Sequence, residues 1–246
     1  NPGGSGSDLK FHLHTNDTHG GYLVSITQDR VTRLRQLIQE SGFDRRNVHE
    51  VTQVLLQNSN ANTGLLSKDQ YDNAMRNIVS NGGGSMSQES QRRLSDLLSS
   101  IFFAFVRDKS SRVVALELAS GFTVLCGGRK SDKLEFAFDL IDDDKDGRLS
   151  RRGLWKYLRS FLTVLMSISS ASANMTEGHI YSAIDSASTW ATAQVFGAEQ
   201  DKGLGNNDNS SKRSVCFDDF AEWYTQGGYG SIPWLELLDL KKWVLT

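Results

Sequence analysis

Phe136-Ala-Phe138-Asp-Leu140-Ile141, then Asp142-Asp-Asp144-Lys-Asp146-Gly147-Arg148-Leu149-Ser150, then Leu154-Trp155-Lys-Tyr157-Leu158-Arg-Ser-Phe161-Leu162-Thr-Val164-Leu165-Met166: this order of apolar, acidic and apolar stretches decides the fold. Asp142, Asp144 and Asp146 recur at every second residue, which in a tightly wound loop aims three carboxylates at one point. Gly147 stands where the chain must turn sharply, and Leu149 is the apolar residue that can pair with a neighbouring loop. The flanks carry apolar residues at helical spacing. Such a stretch reads as helix, cation-binding loop, helix.

This D-x-D-x-D-G-x-L spacing is the EF-hand signature, far more specific than a lone acidic run. The expected ligands are Asp142, Asp144, Asp146, the carbonyl of Arg148, and Ser150 directly or through water. One position departs from the pattern. A loop of this kind closes on a glutamate that supplies two oxygens, and here Gly153 takes that place. Calcium needs about six to eight oxygens, so the expectation is weak calcium binding, or magnesium in its place.

Length and composition bound the rest. At 246 residues the chain can bury one large core or two smaller ones. Hydrophobic residues make up 38% and charged residues 23%, ordinary values for a soluble globular protein. A net charge of -2 implies neither nucleic acid nor an acidic membrane surface as a partner. No apolar run reaches the roughly 20 residues that span a bilayer, and no signal-peptide pattern opens the chain. With only two cysteines, Cys126 and Cys216, a reducing, cytoplasmic compartment is expected rather than a disulfide framework. A first residue Asn1 in place of Met suggests a fragment or a processed chain.

The only prolines are Pro2 and Pro233, so little interrupts helices between them. The pattern predicts an all-α fold of two lobes of paired helix-loop-helix units, with short bridging strands and an extra C-terminal helix. Residues 1–29, rich in Gly, Ser, Asn and His, read as a flexible tail. Helical patterns run over 30–57, 67–80, 87–105, 115–126, 130–141, 151–169, 176–198, 217–226 and 233–245. The expected units are an N-terminal pair at 30–128, a C-terminal pair at 129–231 and a last helix at 232–246.

Laying the clear loop over the chain finds three weaker copies. In Val106 to Glu117, the residues Asp108, Ser110 and Glu117 fall on ligand positions, but Val106 and Ser111 replace the first carboxylate and the glycine. Around Gly64-Leu65-Leu66-Ser67, Ser59, Ala61 and Thr63 hold the ligand positions, so that loop is expected to be metal-free. The last copy, Asp208 to Asp219, has Lys212 and Arg213 where an acceptor and a glycine belong, after a polar insertion from Gly203. It too reads as metal-free. Leu66 with Val113, and Leu149 with Val215, are the expected bridges between loops.

Four loops in tandem resemble the neuronal calcium sensor proteins and their calcineurin B-like relatives, over about residues 30 to 245. Glu117-Leu-Ala-Ser-Gly-Phe122, Lys133-Leu-Glu-Phe136-Ala-Phe138-Asp-Leu140, the clear loop and Ser150-Arg151 carry the resemblance most sharply. It implies a degenerate first loop, as around Gly64, and a final helix after the fourth, as from Pro233 to Leu245. The family's myristoyl switch does not carry over, because no Met-Gly start is present.

The helix after the clear loop is richer in apolar residues than one buried stripe requires. Trp155, Leu158, Phe161, Leu162, Leu165 and Met166 are therefore expected to line a groove for an amphipathic helix, with Phe102, Phe103, Phe105 and Phe122 as the opposite wall. A large core shared between the lobes is the alternative use of the same residues. The occupant of a groove would be a partner protein or the segment from Pro233 to Leu245, where Trp234, Leu237 and Leu238 follow at helical spacing.

An enzyme is not expected. Leu13-His14-Thr15-Asn16-Asp17-Thr18-His19-Gly20 resembles the opening metal motif of the 5'-nucleotidase family, but the further Gly-Asp, Asn-His-Asp/Glu and Gly-His ligand motifs do not follow. Cys216 near Asp218 reads as a packed thiol. The function expected is a calcium-binding regulatory module for a partner helix, with a calcium-independent EF-hand scaffold as the alternative.

Overall fold

The computed structural model describes residues 8–16, 20–80, 86–169, 177–202 and 214–243. Asp17 to His19, the insertion from Gly203 and the last residues from Val244 lie outside this range, and with them parts of the motifs named above.

The chain opens on a hairpin of β1 (Leu9–His14) and β2 (Gly21–Ile26), paired antiparallel with Phe11 opposite Val24 and Leu13 opposite Tyr22. Between Leu9 and Ile26 this corrects the flexible tail, whose first seven residues lie outside the described ones. Phe11, Leu13, Val24 and Ile26 alternate along the strands and are buried, so one face of the hairpin belongs to the core. The composition of residues 1–29 masked that short alternation.

Helices α1 (Gln28–Ser41) and α2 (Val48–Asn58) follow where one helix over 30–57 was predicted. The break is local chemistry. Gly42 takes the left-handed conformation at φ 76° and closes α1, and the Asn47 side chain then caps α2 by accepting from the His49 N–H. Next come β3 (Leu65–Ser67), α3 (Lys68–Ser80), α4 (Gln88–Phe105), β4 (Arg112–Val114) and α5 (Ala115–Phe122). The second half holds α6 (Lys130–Ile141), β5 (Arg148–Ser150), α7 (Arg151–Ile168), α8 (Glu177–Lys202), β6 (Ser214–Cys216) and α9 (Phe217–Trp223).

The loops bridge as their apolar residues predict. β3 pairs β4 with Leu66 opposite Val113, and β5 pairs β6 with Leu149 opposite Val215. All four of these side chains are buried. The short strands thus join the first loop to the second and the third to the fourth, in a fold that is helical apart from them and the hairpin.

Helix α7 lies at the centre, packed by α4, α5, α6 and α8. Its approach to α5 is close at Gly121, where an added Cβ would stand 2.4 Å from the carbonyl oxygen of Ser160. Beside that contact the hydroxyls of Ser120 and Ser160 are 2.8 Å apart in the interior. The buried side chains of both loop pairs and of the hairpin form one hydrophobic cluster.

The extra helix predicted from 233 is instead two 3₁₀ segments, Pro233–Leu238 and Leu240–Trp243. Asp239, extended between them, interrupts the helix. Trp234, Leu235, Leu237, Leu238 and Trp243 are nevertheless buried, and Pro233–Leu238 packs against β1, α6 and the turn Thr123–Leu125.

Candidate metal centre and helix face

The third loop has the backbone of its signature. Lys145 and Gly147 both take positive φ, 54° and 74°, which winds the loop. Asp142 is buried, and its Oδ2 accepts the Gly147 N–H at 2.8 Å, tying the first loop position to the sixth. Asp146 Oδ1 accepts the Arg148 N–H at 2.9 Å. Ser150 begins α7 as its cap, its Oγ accepting the Gly153 N–H at 3.1 Å.

The expected ligands are not all drawn together. Asp144 and Asp146 are exposed, and among the described residues no group of three or more His, Cys, Asp or Glu side chains is gathered so that it could hold a metal ion. The donors themselves suit a hard cation, being carboxylate and hydroxyl oxygens on a loop already wound. What is short is their number. Gly153 contributes no oxygen, and a Cβ there would meet Leu149 Cδ2 at 3.3 Å and Ser150 Oγ at 3.5 Å, so an added Cβ needs only a small adjustment.

The bridge fastens this loop to the fourth. Arg148 donates from Nε to Ser214 Oγ at 2.9 Å and from Nη2 to the Ser214 carbonyl at 2.7 Å, and its guanidinium lies 3.7 Å from Asp219. Asp219 in turn accepts the Cys216 N–H, and Cys216 is the residue from which α9 starts. That is the setting of the thiol read as packed.

In the first two loops the polar groups bind the chain itself. Asn60 Oδ1 accepts the N–H groups of Asn62 and Thr63, and Thr63 Oγ1 accepts that of Leu65. Asp108 accepts both the N–H and the hydroxyl of Ser110, and these bonds hold its carboxyl below the usual range. Glu117, the closing glutamate of the second loop, accepts Arg159 Nη1 of α7 at 3.0 Å.

The predicted groove residues are brought together as interior. Phe102, Phe122, Leu158, Phe161, Leu162 and Leu165 are fully buried, and Phe105 and Met166 nearly so. Trp155 is part-buried and Phe103 is half-exposed, outside the core. As described they form interior and not an open groove, so a partner helix would have to displace the element that covers α7. Helix α8 covers α7, whereas the segment from Pro233 packs elsewhere. Ala183, Ile184, Ala187, Ser188, Ala191, Thr192 and Val195 face inward from α8, a stripe of mostly small residues that lets two helices approach closely. Periodicity in large apolar residues did not reveal it.

His14, from the nucleotidase-like motif, stacks on His12 and on Trp190 of α8, with centroids 5.4 and 4.7 Å away. It joins the hairpin to α8, and Asp17 and His19 of the motif lie outside the described residues.

No family profile matches the chain. A recoverin family protein of Dictyostelium discoideum is 27% identical over 140 residues, 56% of this chain and 58% of that protein. The matched region thus spans a little over half of each. This similarity supports a relationship to the EF-hand superfamily. None of the described helices is long and apolar enough to cross a membrane.

Proposed function

We propose that the chain is a calcium-binding regulatory module of the sensor type, acting in the cytoplasm. Its metal site is the third loop, with Asp142, Asp144, Asp146, the Arg148 carbonyl and Ser150 as ligands. One observation carries the reading: the Asp142 to Gly147 bond and the Leu149 to Val215 bridge form together on the loop that opens α7. A cation that draws Asp144 and Asp146 inward would pull on β5 and so on the start of α7. The similarity to a recoverin family protein supports the same class. The partner is the amphipathic helix of another protein or of the parent chain, received on the α7 face in place of α8.

Calorimetric titration tests the metal site. Wild-type protein should bind one calcium ion weakly, and Asp142→Ala should abolish the heat. Heat unchanged in that variant would move the site elsewhere.

A second reading is favoured by the dispersed carboxylates and by Gly153. In it the fold is a calcium-independent EF-hand scaffold that binds proteins through its surface. No binding heat for calcium or magnesium, together with an unaltered thermal transition in their presence, would select it.

A further inference from the structure

Two arginines and two acids meet where the second loop, α7 and α8 join. Arg159, on α7, has a side chain 11% exposed and donates to Glu117 from Nη1 at 3.0 Å and to Asp185 of α8 from Nε at 3.1 Å. Its guanidinium also lies over the Trp155 ring, 4.8 Å from the centroid. Arg107, in the second loop, reaches the same Asp185 carboxylate, with Nη2 3.4 Å from Oδ1 and Nη1 3.5 Å from Oδ2. It stacks over Tyr181 of α8 at 4.2 Å. Asp185 therefore sits between two cations that repel each other, and its backbone carbonyl accepts Trp155 Nε1 at 3.4 Å.

Glu117 holds the loop position at which a metal-binding hand presents two oxygens to its ion. Here that carboxylate faces a fixed positive charge supplied by another helix. The first loop position is Val106, which has no oxygen to offer in its side chain. Bidentate donors and weak hydration suit a guanidinium to such a part-buried place.

We propose that Arg159 takes over the role of the ion in the second hand, holding its closing glutamate, and that through Asp185 the same guanidinium latches α8 onto α7. The second hand is then ordered without metal, and α8 is the element released when the cluster is broken. This is independent of whether the third loop binds calcium and of whether a partner binds.

Amide hydrogen exchange on the full chain tests the latch, with Asp185→Asn, Glu117→Gln and Asp185→Glu compared. Asp185→Asn leaves Arg107 and Arg159 facing each other without their shared anion; the Asp185 side chain is 44% exposed, so solvent screens part of the loss, but the two guanidinium groups beside it are more buried. Exchange within 177–202 should quicken by at least about tenfold, the factor that corresponds to about 1.4 kcal/mol, whereas α3 keeps its protection. Glu117→Gln should quicken exchange in 112–122, and Asp185→Glu should restore most of the protection of α8. Unchanged exchange in α8 of Asp185→Asn would overturn the proposal. Equal loss of protection in α3 and α8 would overturn it too, since the cluster would then be part of the general core. Should Asp185→Asn not fold, the same comparison rests on Asp185→Glu and Glu117→Gln. In that case Glu117→Gln decides, Asp185→Glu being expected to stay near wild type, and exchange in 112–122 of Glu117→Gln as slow as in wild type would overturn the latch.

Discussion

Single positions set the strength of the proposed calcium site. Gly153 offers nothing where two oxygens are expected, and its surroundings take an added Cβ with a shift of a few tenths of an ångström. Gly153→Glu should therefore tighten calcium binding at least about tenfold, because a bidentate carboxylate is the largest single donor of such a loop. Titration of both proteins checks this, and equal affinities would show that other oxygens complete the sphere. A second residue-scale effect comes from Lys133. It is 1% exposed, its Nζ donates to the Leu238 carbonyl at 2.8 Å, and burial lowers its pKa to about 8. Between that value and the unfolded lysine value of about 10.4 the unfolded chain binds more protons, so this group adds stability as pH rises. Burial has pushed the Cys126 thiol up to about 12, and that group opposes the gain above about pH 8.5. Between pH 7.5 and 8.5, the thermal midpoint of wild type should thus rise relative to that of Lys133→Met. A parallel pH course in the two proteins would remove Lys133 as the cause.

Among the elements, those with a local signature were legible in sequence. Helix α6 was predicted at its observed bounds, because an acidic loop ends it, and both bridges fell on Leu66, Val113, Leu149 and Val215 as the apolar loop residues required. Hidden were the features whose reason is a distant neighbour. The hairpin alternates for only a few residues inside a polar composition, and although a helix was predicted over 176–198, its seat on α7 runs through alanine, serine and threonine, which a search for large apolar residues passes over. The candidate ligands were legible as a motif, but the outward placement of Asp144 and Asp146 was not, since it depends on side-chain directions that spacing does not fix. The close α5–α7 crossing gives a prediction at this scale. Gly121→Ala would place a Cβ against a backbone oxygen that cannot rotate away, so it should cost about 1–3 kcal/mol. Denaturant unfolding measures it, and a loss below about 0.5 kcal/mol would mean the helices part easily.

Across the whole molecule, the segment after Pro233 is fastened by charge as well as by tryptophan burial. Glu236 accepts from Lys130 of α6, from Lys242 and from the Tyr224 hydroxyl. Burial alone would raise its pKa, but these donors outweigh that and hold it at about 2. A carboxylate lowered in this way contributes stability above its unfolded value of about 4.3, and that contribution fades as pH falls toward about 2. Trp234 and Trp243 report on the segment, so their fluorescence should shift toward that of exposed indole over this window. Glu236→Gln should lack this acid-dependent component. Identical acid curves for the two proteins would assign the transition to other carboxylates.

The contact between β1 and the segment Pro233–Leu238 joins the first described strand to nearly the last described turn. In kinetic terms it closes a loop of almost the entire chain, whereas the bridges between loops and the helix pairs close much shorter ones. Closure entropy grows with loop length, and contacts of high sequence separation form slowly. Hairpin docking should then be the last step of refolding, after the four loops have paired. If the hairpin is also absent from the transition state, a substitution such as Leu13→Ala would speed unfolding and leave the folding rate almost unchanged.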